Sequence, residues 1–152
     1  MIHYRQKTNV TCGAAAYRSL LSQWKIISEK QAVDEIQTDK TGTSVWSILS
    51  ALEKRHIPCD WIPLNIDFEH YSRWLLLNSK NRLLYLACEF IDNSGRGRNR
   101  HRHHAIAVSE GFIYDPAQEK PLPIEAYCDT WNRNMIIKSM IMVDKDVVGI
   151  DK

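Results

Sequence analysis

No apolar run in this chain approaches the roughly 20 residues that a membrane-spanning helix needs, and the longest, 82–90 and 135–143, have the length of strands. The opening Met-Ile-His-Tyr-Arg-Gln lacks the apolar centre of an export signal, so a cytoplasmic start and no membrane partner are expected. Neither sign of charge dominates: 20 Lys and Arg against 18 Asp and Glu leave +2. Dedicated nucleic-acid binders carry a larger basic surplus, so nucleic acid is not the expected partner. The chain has no internal repeat and no Cys-x-x-Cys pair, which excludes the usual zinc-knuckle and thioredoxin-type sites. Its four cysteines, Cys12, Cys59, Cys88 and Cys128, are then expected to be reduced thiols rather than two bridges. What remains, 152 residues with 44% hydrophobic and 25% charged, is the composition of an ordinary globular protein. That length suits one domain over residues 1–152.

Helical signals come first and strand signals later. Apolar residues at positions 14, 17, 20, 21 and 24 give 13–25 the spacing of an amphipathic helix. Ser28 and Gln31 form a capping pattern for a short helix with Ala32, Val33 and Ile36 turned inward. After Thr41-Gly42, either Thr43 or Ser44 can cap a third helix that ends near His56, before Pro58. A short strand over 59–64 and a helix over 68–78 follow, then strands at 82–91, 104–108, 112–115 and 135–143, with a short helix at 123–131. The order predicts an α+β fold, with N-terminal helices packed on a C-terminal antiparallel sheet.

Cys12-Gly13 falls where the first helix begins. A thiol there lies at the positive end of the helix dipole, which favours the nucleophilic thiolate. The small residues Gly13 to Ala16 leave room for other groups to approach the sulfur. Gln6, six positions upstream, carries an amide donor suited to an oxyanion. A free cysteine is more often simply a small buried hydrophobe, so the reading needs a base and a group to orient it. Ser109-Glu110-Gly111 marks a tight turn between two strands. A two-residue turn pairs Ser109 with Phe112 and makes His104 and Asp115 diagonal neighbours on one face, within reach of a hydrogen bond. A three-residue turn shifts the parity and brings His103 to Asp115 instead.

Three stretches together carry a family resemblance. They are Gln6 to Ala15 with its Cys12-Gly13-Ala14-Ala15, Thr41-Gly42-Thr43-Ser44 through Leu52 to Ile57, and His104-Ala-Ile-Ala-Val with Asp115-Pro116-Ala117 and the following Pro-Leu-Pro-Ile-Glu-Ala-Tyr. In this order they resemble the papain-like cysteine peptidases, closest to the bacteriocin-processing, double-glycine leader peptidases and their stand-alone relatives. The resemblance implies a papain-like fold, with Cys12 as nucleophile, His104 as general base and acid, Asp115 as its orienter and Gln6 as oxyanion donor. It prefers His104 to His103, because the family's histidine directly precedes its apolar strand. It implies a peptide or protein substrate, a narrow cleft accepting Gly-Gly or Gly-Ala before the scissile bond, and no metal or organic cofactor; Gly13 is taken as a substrate-binding residue. Two readings of another class stay open: a papain-like binding or structural protein without turnover, and a thiol acyltransferase. The His104–Asp115 interval of eleven residues is short for the family. No transporter domain follows in the sequence, so coupling to export within this chain is not expected.

One segment stands outside that pattern. Arg96, Arg98, Arg100 and Arg102 alternate just before His104, with Gly95 and Gly97 among them. As a loop bordering the cleft, Arg100, Arg102 and His103 would favour an acidic substrate, since guanidinium forks bind carboxylate and phosphate. A solvated loop is the ordinary alternative. His101, His103, His104 and Cys128 match no standard zinc spacing, so no metal site is assigned.

Overall fold

The computed structural model describes residues 1–8, 10–40, 42–92, 100–130 and 135–146. Three helices come first: α1 (Cys12–Leu21), α2 (Glu29–Glu35) and α3 (Val45–Lys54). Two of them start where a side chain satisfies an orphan backbone donor. Ser28 accepts from the Gln31 N–H, and Ser44, rather than Thr43, accepts from the Ser47 N–H. α1 ends at Leu21, short of the expected 25, and residues 22–24 form a turn.

The remaining elements are β1 (Asp60–Asp67), α4 (Phe68–Asn78), β2 (Arg82–Asp92), β3 (Arg100–Ser109), β4 (Phe112–Tyr114), β5 (Leu122–Pro123), α5 (Ile124–Cys128) and β6 (Met135–Asp144). The strands form one antiparallel sheet in the order β1-β6-β2-β3-β4-β5. β1 reaches this sheet from the middle of the chain and pairs with β6 at its edge.

Alternation along β2 divides the core in two. Leu83 and Tyr85 pack with Tyr17, Leu20, Ile48 and Leu52 of α1 and α3 on one face. Leu84, Leu86 and Cys88 pack with Phe68 and Leu75 of α4 and Ile124 and Tyr127 of α5 on the other. The helices therefore cover both faces, and each fully buried Leu or Ile adds about 1.5–3 kcal/mol of apolar burial.

Two expectations are corrected. The strand expected over 104–108 extends back to Arg100, because the β2 ladder continues through His103, Arg102, His101 and Arg100 opposite Glu89 to Asp92. Backbone pairing is indifferent to the polar sequence, so Arg100 and Arg102 belong to a strand and not a loop; Arg96 and Arg98 lie outside the described residues. The last helix is shorter than 123–131, since Leu122 and Pro123 are drawn into pairing with Ile113 and Phe112.

The hairpin between β3 and β4 sets the geometry of everything that follows. Ser109 pairs with Phe112, which gives the two-residue turn and rules out the three-residue register. Glu110 and Gly111 both have positive φ, 51° and 78°, as a type I′ turn requires. The turn is tied to the end of α4: Glu110 N–H donates to the Ser79 carbonyl at 2.7 Å and Gly111 N–H to Ser79 Oγ at 2.9 Å. A slip by one residue would send every side chain of the strand to the opposite face. No helix among the described residues is long and apolar enough to cross a membrane.

Candidate active site

α1 packs against β3 and opens at Cys12, at the rim of a cleft of about 680 Å³. The cleft is lined by Cys12 and Gly13, by Thr43 and Ser44 ahead of α3, by Tyr85 and Glu89 of β2, and by His103 and His104 of β3. β4 pairs only with residues 107–109 of β3, so the stretch around His104 and Ala105 faces the start of α1. The thiol of Cys12 lies within the influence of the His104 ring and of the backbone N–H groups of Ala105 and Gly13, all of which favour its thiolate.

His104 is 8% exposed and Asp115 1% exposed, and they meet as the two-residue turn requires, with His104 Nε2 2.5 Å from Asp115 Oδ1. With Nε2 committed to the carboxylate, Nδ1 is the ring nitrogen left for the sulfur. Asp115 is held in turn by its own turn, through the Ala117 N–H to Oδ1 at 2.8 Å. Its other oxygen accepts from Tyr127 Oη at 2.7 Å.

The electrostatics follow from these contacts. Burial opposes the thiolate of Cys12, but the His104 hydrogen bond and charge, with the two backbone N–H groups, hold the thiol below its ordinary value. Burial also opposes a charged imidazole, yet the hydrogen bonds and charges of Asp115 and Cys12 push His104 up to about 9. Asp115 is held below the usual carboxylate range despite its burial, by His104 first and then by Ala117 and Tyr127. The contacts of all three groups thus favour the thiolate–imidazolium–carboxylate form of the chain. Such a sulfur is nucleophilic and already has a proton donor beside it.

Gly13 owes its identity to a close approach. A Cβ there would lie 3.2 Å from Thr43 Cβ, 3.3 Å from Thr43 Oγ1 and 3.4 Å from Tyr85 Oη. Thr43 is itself fixed by a 2.5 Å hydrogen bond between its hydroxyl and that of Thr38. The head of α1 is therefore packed closely against Thr43 and Tyr85 at the cleft wall.

The other candidates are placed less directly. Gln6 is anchored by its backbone, whose N–H donates to the Pro116 carbonyl at 2.9 Å, beside Asp115. Its side-chain Nε2 donates to the Thr8 carbonyl at 3.1 Å, and its Oε1 is buried with no partner among the described residues. Gln6 is not among the described residues lining the cleft. His103 lines the cleft but is exposed and pairs with Glu89, one position from the His104–Asp115 contact. Arg100 and Arg102 stand on β3 opposite Asp92 and Phe90. Among the described residues no cluster of three or more His, Cys, Asp or Glu could hold a metal, and all four cysteines are free.

Sequence reasoning missed Tyr127 and the Ala105 N–H. Backbone donors leave no trace in a sequence. Tyr127 was visible only as the last residue of the Pro-Leu-Pro-Ile-Glu-Ala-Tyr stretch, and nothing local ties it to Asp115 twelve positions away.

No family model matches the chain, and no curated sequence does. Solved structures do. The peptidase domain of Streptococcus ComA, a bi-functional ABC transporter involved in quorum sensing, aligns over 93% of this chain and 96% of its own, with a TM-score of 0.59 at 14% identity. A double-glycine motif protease from an AMS/PCAT transporter, solved with its leader peptide, aligns over 94% and 91%, with a TM-score of 0.56 at 13% identity. The fold is thus that of the papain-like peptidase domains, a mixed arrangement of helices on an antiparallel sheet.

Proposed function

We propose that this chain is a cysteine peptidase, a single domain over residues 1–152, that uses Cys12, His104 and Asp115 as its triad. The observation that carries the reading is the buried His104–Asp115 hydrogen bond with the Cys12 thiol beside the ring, opening on a cleft.

The Cys12 thiolate attacks the scissile carbonyl carbon, and the carbonyl electron pair moves onto its oxygen. The Cys12 backbone N–H, at the head of α1, is one donor for that oxyanion. The Gln6 amide is assigned as the second by the sequence resemblance; in this structure its Nε2 donates to the Thr8 carbonyl and has to turn towards the cleft to serve. As the tetrahedral species collapses, the C–N bond breaks and the His104 imidazolium gives its proton to the departing amine. A thioester to Cys12 remains. Water then attacks this thioester while His104 takes a proton from it; the free acid leaves and the thiolate–imidazolium pair is restored. Asp115 stays ionised throughout and keeps the ring oriented.

The substrate side of the proposal is a peptide with small residues, such as Gly-Gly, ahead of the scissile bond. The narrowness at Gly13, Thr43 and Tyr85 supports it, as does the fold shared with a double-glycine motif protease. A reducing compartment such as the cytoplasm suits an enzyme that depends on a free thiol.

The test is labelling by a peptide aldehyde or chloromethyl ketone ending in Gly-Gly, read by intact mass. The parent protein is expected to gain one adduct at Cys12. Equal labelling of Cys12→Ala, or labelling of denatured protein only, overturns the assignment.

A further inference from the structure

Asp115 is gripped at both carboxylate oxygens, and the two grips differ in kind. Oδ1 receives His104 and the Ala117 N–H. Oδ2 receives the Tyr127 hydroxyl, from a different element, α5. A carboxylate bonded through one oxygen can still turn about its Cβ–Cγ bond and carry that oxygen out of the imidazole plane. A second anchor on the other oxygen stops the rotation. The anchor is itself well fixed: Tyr127 is 1% exposed, and the Phe68 ring of α4 meets it edge-on at 5.4 Å between centroids.

We infer that Tyr127 is a positioning residue of the triad: its hydroxyl locks the plane of the Asp115 carboxylate and thereby the orientation in which His104 meets Cys12. This rests on the peptidase reading and deepens it. Tyr127 is not among the described residues lining the cleft, and its hydroxyl bonds Asp115, so its influence passes through Asp115 and His104. Losing the hydroxyl leaves Oδ2 buried without this donor and lets the carboxylate turn. The imidazolium is then less well held, and the thiolate it supports becomes harder to form.

The experiment is the pH dependence of Cys12 alkylation by iodoacetamide, followed by mass spectrometry of the Cys12 peptide in the full chain. It needs no knowledge of the natural substrate. For the parent, a limb well below ordinary thiol titration is expected. In Tyr127→Phe the limb should move to higher pH by about half to one unit, so that alkylation well below the parent midpoint slows about 3- to 10-fold while the high-pH plateau is unchanged. Phe68→Leu, which loosens the ring without touching Asp115, should move it the same way by less; it is read alone if Tyr127→Phe does not fold. A purely structural role lowers the unfolding temperature without moving the limb, and an unmoved limb, or one displaced to lower pH, overturns the inference. A parent whose Cys12 titrates like Cys59 removes the peptidase reading and this inference together.

Discussion

Replacing Asp115 by Asn removes a charge and leaves a shape. Asn Oδ1 can still accept from His104 Nε2 and from the Ala117 N–H, and its Nδ2 can donate to Tyr127 Oη, so the site should survive geometrically. The electrostatic result is large. His104 stands at about 9 instead of 6.5, a net rise worth on the order of 3 kcal/mol that remains after burial has opposed it. Asp115 is the leading source of both the hydrogen-bond and the charge contributions to that rise, with Cys12 second in each. Loss of the Asp115 charge should therefore lower the His104 midpoint by at least about one unit, a tenfold change worth about 1.4 kcal/mol. The assay is an NMR titration of the His104 ring, assigned by comparison with His104→Gln among the six histidines. Because the raised value keeps the ring charged up to about pH 9, peptidase activity should also fall as the pH rises through that point, and should fall earlier in Asp115→Asn. A variant whose His104 midpoint stays near 9 would refute the reasoning, since the carboxylate charge would then not be what holds the proton.

Three other outcomes are expected. His104→Ala should abolish Cys12-dependent peptide labelling while His103→Ala, altering an exposed residue one position away, should leave at least about half of it; the reverse result would mean the wrong histidine faces the sulfur. Gly13→Ala should slow labelling by the Gly-Gly probe, because its Cβ meets Thr43 Cβ at 3.2 Å, and the double change with Thr43→Gly, which removes that carbon, should recover much of the rate; no recovery would place the constriction elsewhere. Gly111→Ala should cost about 1–2 kcal/mol in chemical denaturation, since an alanine must hold φ at 78° with its Cβ 3.0 Å from Leu76 Cδ1, and a neutral result would mean the turn has another conformation available.

Local signals carried much of the fold. The helix at 68–78 was legible to the residue, because the apolar spacing begins just after Asp67, whose side chain accepts from the Glu69 N–H. The Ser28 cap was equally plain. Reading failed where partners decide the outcome. Polar Arg100 to His103 look like loop until β2 supplies their hydrogen-bonding ladder. Leu122-Pro123 look like the approach to a helix until Ile113 and Phe112 pair with them. The helices on the second face were likewise unreadable, since nothing in the α4 segment says which side of a sheet it will cover.

The site divides in the same way. The chain itself determined a thiol at a helix start and a His and an Asp at the ends of one minimal hairpin, because turn length and the two-residue period of a strand are local properties. It also narrowed the choice between His103 and His104 to a single question of turn length. Tertiary structure decided the rest: Ser79 pins that turn in one register, α1 lies against β3 so that Cys12 reaches His104, and α5 brings Tyr127 to the far side of Asp115. Contacts between residues ninety positions apart depend on how whole elements pack, and packing is set by the burial of both faces of the sheet at once, which no short stretch of sequence encodes.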